Sequence, residues 1–522
     1  MKKLFTIAAF ALSSLSMMAE DYSCPLLVVV EGGSQPKATQ TVSVTQQKDG
    51  KYSLSLKNFK MGSIPVGNIE VNDVDAMTCG TTICLSTQQT IQITAGDDAS
   101  IKWMGPGLGD VPIILKGELN GGTFNAILSI SMVDPESPMN VRVELGDVEN
   151  IGQIPNSNFE AFHQESYLGN KEFQANHWHS FINCEVAFGL NSAKTKHNWQ
   201  SNDVRPGSTG TSSLEVKSRI IFGQSANGTV TTGRIKAGSA TAEDPANCSY
   251  LDLSNTSKDK NKDPYYTILT CKPDAIEFWT KFFKGVRGES NKDNIYATIS
   301  AAITDGTYYQ DPQDNDNYTN VVATAKNDKI ESLDNTWQKL TVPFNYNETD
   351  KKAKAILVTI STCSVPGGGS LSDNDGEQDA IKIDDMRLVY NANATSIKFK
   401  GEELTEEEGV YYTTFDGEVK NSDLEVETDS KSAYVTKSIF NTEDGVIAII
   451  NIVSNDLKTA NRYVIIIEGA TTTGINKPQT VTTQSGVKAV YNLSGQQVSG
   501  MSKAGVYIVE RNDGTTVKVL KK

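Results

Sequence analysis

Apolar and polar residues alternate with a period of two along most of this chain. Residues 41–45 and 52–56 alternate cleanly, and Asp49-Gly50 between them is a typical two-residue hairpin turn. Similar runs rich in Val, Ile, Thr and Tyr recur at intervals of about 8–12 residues, as in β-sandwiches and barrels. No long stretch shows the 3.6-residue period of an amphipathic helix. The pattern predicts an all-β protein, and its length of 522 residues predicts about three or four domains.

The first domain is predicted at residues 27–147. It contains about eight short strands in a meander, which favours a closed up-and-down barrel because closure removes the sheet edges. Residues 41–59 and 64–69 resemble the calycin-like domain of exported Bacteroidota proteins. The resemblance implies a lipocalin-like β-barrel. Its interior could hold a small apolar ligand or be filled by its own side chains.

The second domain is predicted at residues 148–392 and holds four of the five tryptophans and all four histidines. Its landmarks are an Asn-x-x-Phe-Glu opening at 156–160, a tryptophan about 20 residues later, and a Trp-x-x-Leu-x-Val-x-Phe strand at 337–344. The last strand carries Asp384-Asp385. These residues resemble the carbohydrate metabolism domain known as PCMD and, more distantly, jelly-roll carbohydrate-binding modules. The resemblance implies a jelly-roll β-sandwich that handles carbohydrate, without implying a reaction.

Aromatic side chains in this domain are candidates for glycan binding. Aromatic rings cover the apolar faces of sugars, while polar side chains bind the hydroxyls. The predicted carbohydrate-binding residues are Trp178, His197, Trp199, Tyr308 and Tyr309. The alternative for each is an ordinary core or loop aromatic. Trp279 and Trp337 lie inside apolar runs, so we predict that they belong to the core.

Acidic residues in the same domain are candidates for calcium, which prefers six to eight oxygen ligands. The jelly-roll resemblance implies a structural Ca²⁺ site at Glu160 with Asp384 and Asp385. Acidic loops at 311–316 and 373–379 are weaker candidates, and solvated turns are the alternative. His177 and His179, with His163 or His197, could bind a transition metal, but no carboxylate motif accompanies them at a known spacing, and free or hydrogen-bonded histidines are the favoured explanation.

The rest of the chain is predicted to be smaller β units. Six or seven short strands at 395–469 favour an immunoglobulin-like sandwich, and residues 470–486 are a Thr-rich linker. Residues 487–522 contain a Leu-x-Gly-x-x-Val element at 493–498, a Gly-x-Tyr-x-Val element at 505–509 and a basic terminal strand, with a hairpin turn expected at Asp513-Gly514. This unit resembles the C-terminal sorting domain of type IX secretion, which implies the outer-membrane secretion machinery as a partner.

The N-terminus agrees with export. Residues 1–19 have a basic start and a short apolar run, which predicts a signal peptide cleaved after Ala19. No later run reaches the roughly 20 apolar residues of a membrane-spanning helix. We therefore expect a secreted or cell-surface protein that is exported through the periplasm.

Charge and cysteine content narrow the function further. A net charge of −15 without a basic stripe argues against nucleic-acid binding. The seven cysteines leave at least one without an intrachain partner, and Cys79 and Cys84 could form a disulfide or remain buried thiols. No GxSxG, HExxH or phosphate-loop motif is present. We predict a glycan-binding protein; the alternatives are a glycoside hydrolase with a carboxylate pair and a structural surface adhesin.

Overall fold

The computed structural model describes residues 19–132, 139–254, 257–315, 318–407, 409–442, 445–472, 487–492, 497–498, 505–511 and 516–521. Strands dominate these residues, and their helical segments are single 3₁₀ turns at Gly105–Gly107, Phe181–Asn183, Asn191–Ala193 and Asn421–Asp423. The prediction of an all-β fold is confirmed. The predicted signal peptide, apart from Ala19, lies outside the described residues.

The N-terminal domain is a closed barrel. Its strands are β1 Ala19–Val30, β2 Gly33–Ser34, β3 Ala38–Gln46, β4 Tyr52–Met61, β5 Ile64–Cys79, β6 Thr82–Gln92, β7 Asp110–Asn120, β8 Thr123–Met132 and β9 Met139–Leu145. From β3 to β9 each strand pairs with the next strand in the chain. β1 pairs with the short β2, with β3 and, through Val28 opposite Val143, with β9, which closes the sheet.

Buried and exposed side chains alternate along the barrel strands, and the buried ones form the core of the barrel. Every second side chain of β4 is buried, as expected where one face of a strand points inward. The interior side chains form one apolar cluster that includes Leu54, Leu56, Ile69, Leu115, Leu128 and Val143. The barrel also starts earlier than the predicted boundary at residue 27, because residues 19–26 already pair with β3.

The second domain contains many short strands. They are β10 Phe162–Tyr167, β11 Asn170–Ala175, β12 Glu185–Val186, β13 Asn198–Ser201, β14 Ser213–Lys217, β15 Arg219–Ile221, β16 Gln224–Ala226, β17 Thr229–Thr231, β18 Arg234–Ala237, β19 Cys248–Leu251, β20 Thr267–Ile268, β21 Ala275–Phe283, β22 Ala297–Thr304, β23 Tyr309–Asp311, β24 Val321–Ile330, β25 Gln338–Pro343, β26 Asn345–Tyr346, β27 Ala355–Ser361 and β28 Ala380–Val389.

Two of the sheets in this domain form a sandwich. A five-stranded sheet has the order β13-β14-β28-β21-β25, and a six-stranded sheet has the order β17-β27-β22-β24-β26 with β20 beside β27. Phe278 and Ile383 from the first sheet share one core with Ile299 and Ile360 from the second. Each sheet therefore has one face in the core and one outer face. Smaller sheets form from β10-β11, β15-β16 and β12-β18-β19-β23.

The third domain is a smaller two-sheet sandwich. Its strands are β29 Ala394–Phe399, β30 Glu402–Glu403, β31 Glu406–Glu407, β32 Val410–Thr414, β33 Leu424–Thr428, β34 Tyr434–Asn441, β35 Gly445–Val453 and β36 Ala460–Glu468. A three-stranded sheet, β30-β29-β33, and a five-stranded sheet, β31-β32-β36-β35-β34, share a separate apolar core.

The C-terminal strands form one four-stranded sheet in the order β38-β37-β39-β40. They are β37 Val487–Asn492, β38 Gln497–Val498, β39 Gly505–Arg511 and β40 Thr516–Lys521. β39 and β40 pair antiparallel as a hairpin requires, although the predicted turn at 513–514 lies outside the described residues. So does most of the predicted linker, from residue 473 to 486.

Two further predictions concern cysteines and membrane spans. All seven cysteines are buried, and the disulfide between Cys79 and Cys84 stays a prediction. Within the ranges that the structure describes, no helix is long and apolar enough to cross a membrane.

Candidate functional site

A hydroxyl–aliphatic–hydroxyl triplet occurs in three strands of the second domain. The triplets are Thr229-Val230-Thr231 in β17, Thr298-Ile299-Ser300 in β22 and Thr359-Ile360-Ser361 in β27. The three strands are neighbours, and Ile360 of the central strand lies opposite Val230 on one side and Ile299 on the other. The three aliphatic side chains are buried in the sandwich core. Because side chains alternate between the faces of a strand, the hydroxyl groups lie on the outer face.

This outer face is the floor of a groove of about 390 Å³, within the usual size range of small-ligand sites. Five of the six hydroxyl side chains of the triplets line it, namely Thr229, Thr298, Ser300, Thr359 and Ser361. The β15–β16 hairpin and the segments 239–242 and 361–367 supply the walls. The last of these belongs to the Gly-rich loop after β27.

Phe222 lines the groove at the tip of the β15–β16 hairpin. Its side chain is 59 % exposed, and its backbone has φ +52°. A non-glycine residue with positive φ is uncommon and is usually Asn or Asp, so a bulky aromatic residue here is both strained and exposed. Such a combination favours a contact role for Phe222 over a role in folding.

Polar atoms of the groove lining are available for a ligand. Ser225 Oγ and Asn227 Oδ1 are buried, and in the described part of the chain neither has a hydrogen-bond partner. Asn227 donates its amide hydrogens to the carbonyls of Cys363 and Val365, at 3.1 and 2.9 Å, which fixes the orientation of the amide. Buried polar atoms without partners are rare in native proteins, so a water or a ligand hydroxyl is expected beside them.

Carboxylates are scarce in the groove. Among the described residues that line it, Asp311 is the one acidic side chain, and it accepts a short hydrogen bond from Ser300. Glycoside hydrolysis in most families needs two carboxylates on opposite sides of the scissile bond.

Trp199 lies elsewhere, on the half-exposed outer face of the five-stranded sheet. Three cationic groups surround its ring, with Lys196 Nζ, Lys217 Nζ and Arg219 Cζ at 4.5, 5.0 and 5.2 Å from the ring centroid. These contacts are cation–π interactions. The predicted stacking residue is thus accessible, but its ring already has cationic partners that a sugar would have to displace.

Three of the other predicted glycan-binding residues are corrected by the structure. Trp178 and His197 are completely buried, and Tyr309 is 5 % exposed. Trp178 packs on Phe159 in the sandwich core with a centroid distance of 5.2 Å, and Tyr309 packs edge-on against Tyr318. Side chains enclosed in this way cannot contact a glycan.

Tyr308 remains accessible, with 43 % of its surface exposed. It precedes β23 in the four-stranded sheet, and its hydroxyl donates to Gln310 Oε1 at 2.9 Å. Trp199 belongs to a different sheet, so the predicted residues do not form one site.

Trp279 and Trp337 also differ from prediction. Both side chains are only partly buried; Trp279 lies on the outer face of β21, and Trp337 directly precedes β25. Trp337 donates its Nε1–H to Asp203 Oδ1 at 3.2 Å, and the Arg205 guanidinium lies 5.7 Å from the Trp279 ring centroid. The inner-facing Phe278 of β21 is buried, whereas Trp279 next to it points to the opposite face.

The residues predicted to bind calcium are engaged with protein groups. Both oxygens of Glu160 accept hydrogen bonds from Thr211, which together with those from Ser212 lower its pKa despite partial burial. Asp385 pairs with Arg205 at 2.5 Å. Burial raises the pKa of Asp384 to about 6, and its Oδ1 has no hydrogen-bond partner among the described residues.

In the described ranges, the side chains close enough to share an ion are a different set, His163, Glu165 and Asp259. The calcium site is therefore not assembled around Glu160, Asp384 and Asp385 in this structure. Ca²⁺ binding stays a prediction.

Comparison with known proteins identifies the first domain. Residues 18–145 match the model of the calycin-like β-barrel domain family, in agreement with the closed barrel. No curated protein matches the sequence. Among solved structures, the chain is similar to a provisionally assigned outer membrane protein of Bacteroides fragilis. That likeness has 9 % identity and a TM-score of 0.16, covering 66 % of this chain and 96 % of the other.

The groove was missed at the level of sequence, although a signal for it exists. The triplets at 229–231, 298–300 and 359–361 repeat one chemical pattern, and none of them was singled out from the sequence. Their significance depends on strands that are far apart in sequence being adjacent and in register, which no local pattern reveals.

Proposed function

We propose that this protein binds a glycan, with the groove over the six-stranded sheet as the binding site. The observation that carries the proposal is the alignment of three hydroxyl–aliphatic–hydroxyl triplets, which lines the groove with five hydroxyl side chains. Sugar hydroxyls both donate and accept hydrogen bonds, as Ser and Thr hydroxyls do. The partly exposed ring of Phe222 at the rim supplies an apolar surface for a sugar C–H face.

The chemistry of the lining favours a neutral glycan and binding without hydrolysis. The charged side chains in the described lining are one carboxylate, Asp311, and two ammonium groups, Lys236 and Lys326. The hydroxyl-bearing floor of the groove is uncharged. Resemblance of residues 148–392 to PCMD and to jelly-roll carbohydrate-binding modules supports the same substrate class.

The test is binding of the secreted chain to a panel of plant, microbial and host polysaccharides, with assay of the same samples for new reducing ends. Phe222→Asn removes the rim aromatic and suits the positive φ, so the hairpin is retained. We expect this variant to bind about tenfold more weakly, equivalent to about 1.4 kcal/mol. Phe188→Asn is the matched control, because Phe188 is fully exposed and does not line the groove.

Each outcome bears on the proposal. Equal weakening by Phe222→Asn and Phe188→Asn, or no binding to any polysaccharide, contradicts it. Loss of binding on Trp199→Ala alone moves the site to the other sheet. New reducing ends would instead establish the glycoside hydrolase alternative, and capture of a protein partner without any glycan response would support the adhesin.

We also propose that the protein is exported and held at or beyond the cell surface. Support comes from the signal-peptide pattern at residues 1–19 and from the resemblance of residues 487–522 to a type IX sorting domain, whose partner would be the outer-membrane secretion machinery. Repeating the binding assay with a calcium chelator tests the predicted structural Ca²⁺. Deletion of residues 487–522 should trap the protein inside the cell, which fractionation would measure.

A further inference from the structure

A buried cluster of histidines and carboxylates lies beside the β10–β11 hairpin, apart from the groove lining. His163 and Glu165 alternate on β10 and so point to the same side. Asp259 comes from the segment between β19 and β20, and His179 follows β11. The side chains of Asp259 and His179 are fully buried, and those of Glu165 and His163 are 5 % and 12 % exposed.

Hydrogen bonds on the outer side of each imidazole define which nitrogen faces the cluster. His163 Nδ1 lies 2.9 Å from Asn176 Oδ1, and His179 Nε2 lies 3.1 Å from the Pro264 carbonyl. Because both partners are acceptors, these nitrogens carry the hydrogens of the neutral rings. The lone pairs of His163 Nε2 and His179 Nδ1 therefore face the cluster.

The atoms that converge are mainly acceptors. His163 Nε2 lies 3.3 Å from Asp259 Oδ2 and 3.4 Å from Glu165 Oε1, and His179 Nδ1 lies 3.6 Å from the same Asp259 oxygen. Neither His163 Nε2 nor Asp259 Oδ2 has a hydrogen-bond partner within the described chain. Lone pairs that face one another inside a protein require a proton or a cation between them.

The other donors near the cluster do not meet this requirement. The Lys260 amide donates to Glu165 Oε1 at 2.8 Å, and its Nζ lies 3.6 Å from Oε2. The Asp263 amide satisfies the other Asp259 oxygen at 2.8 Å. Gln174 Nε2 is 3.5 Å from His179 Nδ1, at the outer limit of a hydrogen bond.

The spacing fits a small tetrahedral ion. Zinc–nitrogen and zinc–oxygen bonds of about 2.0–2.1 Å place neighbouring ligand atoms of a tetrahedron about 3.3–3.4 Å apart. His163 Nε2 lies 3.3 Å from Asp259 Oδ2 and 3.4 Å from Glu165 Oε1, which matches that edge. Imidazole and carboxylate donors suit zinc among the divalent ions, whereas calcium prefers an all-oxygen set.

We propose that His163 Nε2, Glu165 Oε1 and Asp259 Oδ2 bind one Zn²⁺ ion. The hydrogen bond between His163 Nδ1 and Asn176 is the outer-shell contact that orients a metal-binding imidazole. Three protein ligands leave the fourth position of a tetrahedral zinc ion to a water molecule. The ion would fasten the segment around Asp259, which runs between two strands, to the β10–β11 hairpin.

The test is metal content and thermal stability of the full mature chain. After dialysis against trace Zn²⁺, elemental analysis should give one zinc per chain. Removal with a strong chelator should lower the melting temperature by roughly 5–10 °C, and added Zn²⁺ but not Ca²⁺ should restore it. Co²⁺ in place of zinc should give the intense visible bands of a tetrahedral site, which reports ligation without any mutation.

Variants locate the site. Asp259→Asn and His163→Gln should each abolish stoichiometric zinc, whereas His177→Gln should keep it. His177 is the matched control, since its ring contacts Asp263 at 3.5 Å and is not one of the three ligands. A melting temperature that does not respond to chelator or zinc, together with no bound metal in the wild type, would overturn the proposal. The cluster would then be a protonated His163 paired with two carboxylates.

Discussion

Asp203 is the centre of an ion-pair network whose contribution to stability can be worked out. Its Oδ2 lies 2.8 Å from Lys281 Nζ and 2.6 Å from Lys382 Nζ, and its Oδ1 accepts the Trp337 indole hydrogen at 3.2 Å. Lys281 and Lys382 are directly opposite each other on neighbouring strands, so their charges repel unless a carboxylate lies between them. Asp203→Asn removes that carboxylate and leaves the two ammonium groups adjacent.

The magnitude follows from the pKa. Partial burial would raise the pKa of Asp203, but hydrogen bonds from Lys281 and Lys382 outweigh it and lower the pKa to about 2. Compared with the ordinary 3.8, this difference corresponds to about 2.4 kcal/mol. The Asp203 side chain is 34 % exposed, so solvent screening reduces the value, and we expect a loss of about 1 kcal/mol for Asp203→Asn at pH 7.

The sign of the pH dependence is fixed by the lowered pKa. The stabilisation is fully present above the unfolded-state pKa and is lost as the pH falls from about 4 towards 2. The assay is urea unfolding followed by tryptophan fluorescence, which reports mainly this domain. Asp375→Asn is the control, because Asp375 forms a 3.3 Å pair with Lys217 but is 91 % exposed and should contribute almost nothing. Two results would contradict this prediction. One is that Asp203→Asn lowers the free energy of unfolding no more than Asp375→Asn does. The other is that the loss caused by Asp203→Asn is as large at pH 2.5 as at pH 7.

Two further predictions concern buried side chains of the same domain. Burial raises the pKa of Glu172 to about 7, although hydrogen bonds from Ser180 and from the His197 amide oppose the shift. The contribution of the protonated Glu172 to folding stability is therefore fully present below pH 4.5 and is lost as the pH rises through 7. The free energy of unfolding of Glu172→Gln should therefore vary less between pH 5 and 8 than that of the wild type, and parallel curves would contradict this. Trp178→Ala should destabilise the domain by about 3–5 kcal/mol in urea unfolding, since Trp178 is fully buried against Phe159; a loss below 1 kcal/mol would show that it is not a core residue.

Local pattern was sufficient for the class of fold. Alternation along residues 41–45 and 52–56 predicted the hairpin that the structure forms from β3 and β4, with Val44 opposite Leu54. The meander predicted a closed barrel for the same reason, because consecutive antiparallel strands pair with their neighbours in sequence. Where contacts are local, the chain's own periodicity specifies both the strand and its partner.

The candidate sites were predicted less well, since they depend on contacts between distant segments. Trp178 and His197 were expected at a binding surface, but their exposure depends on which elements pack over them. His179 was grouped with His177, whereas the structure places it beside Asp259, 80 positions away, at 3.6 Å. The alternation of side chains along one strand predicts which of them share a face. It does not predict which distant segment of the chain covers that face.

Hydroxyl and aliphatic residues alternate at 229–231, 298–300 and 359–361, and this alternation can be seen in the amino-acid sequence. The adjacency of β17, β27 and β22, with Val230, Ile360 and Ile299 in one row, becomes visible only in the fold, where it gathers the hydroxyls into a groove. The face to which a side chain points depends on backbone geometry within one strand, whereas strand order and register depend on how the whole domain buries its apolar surface.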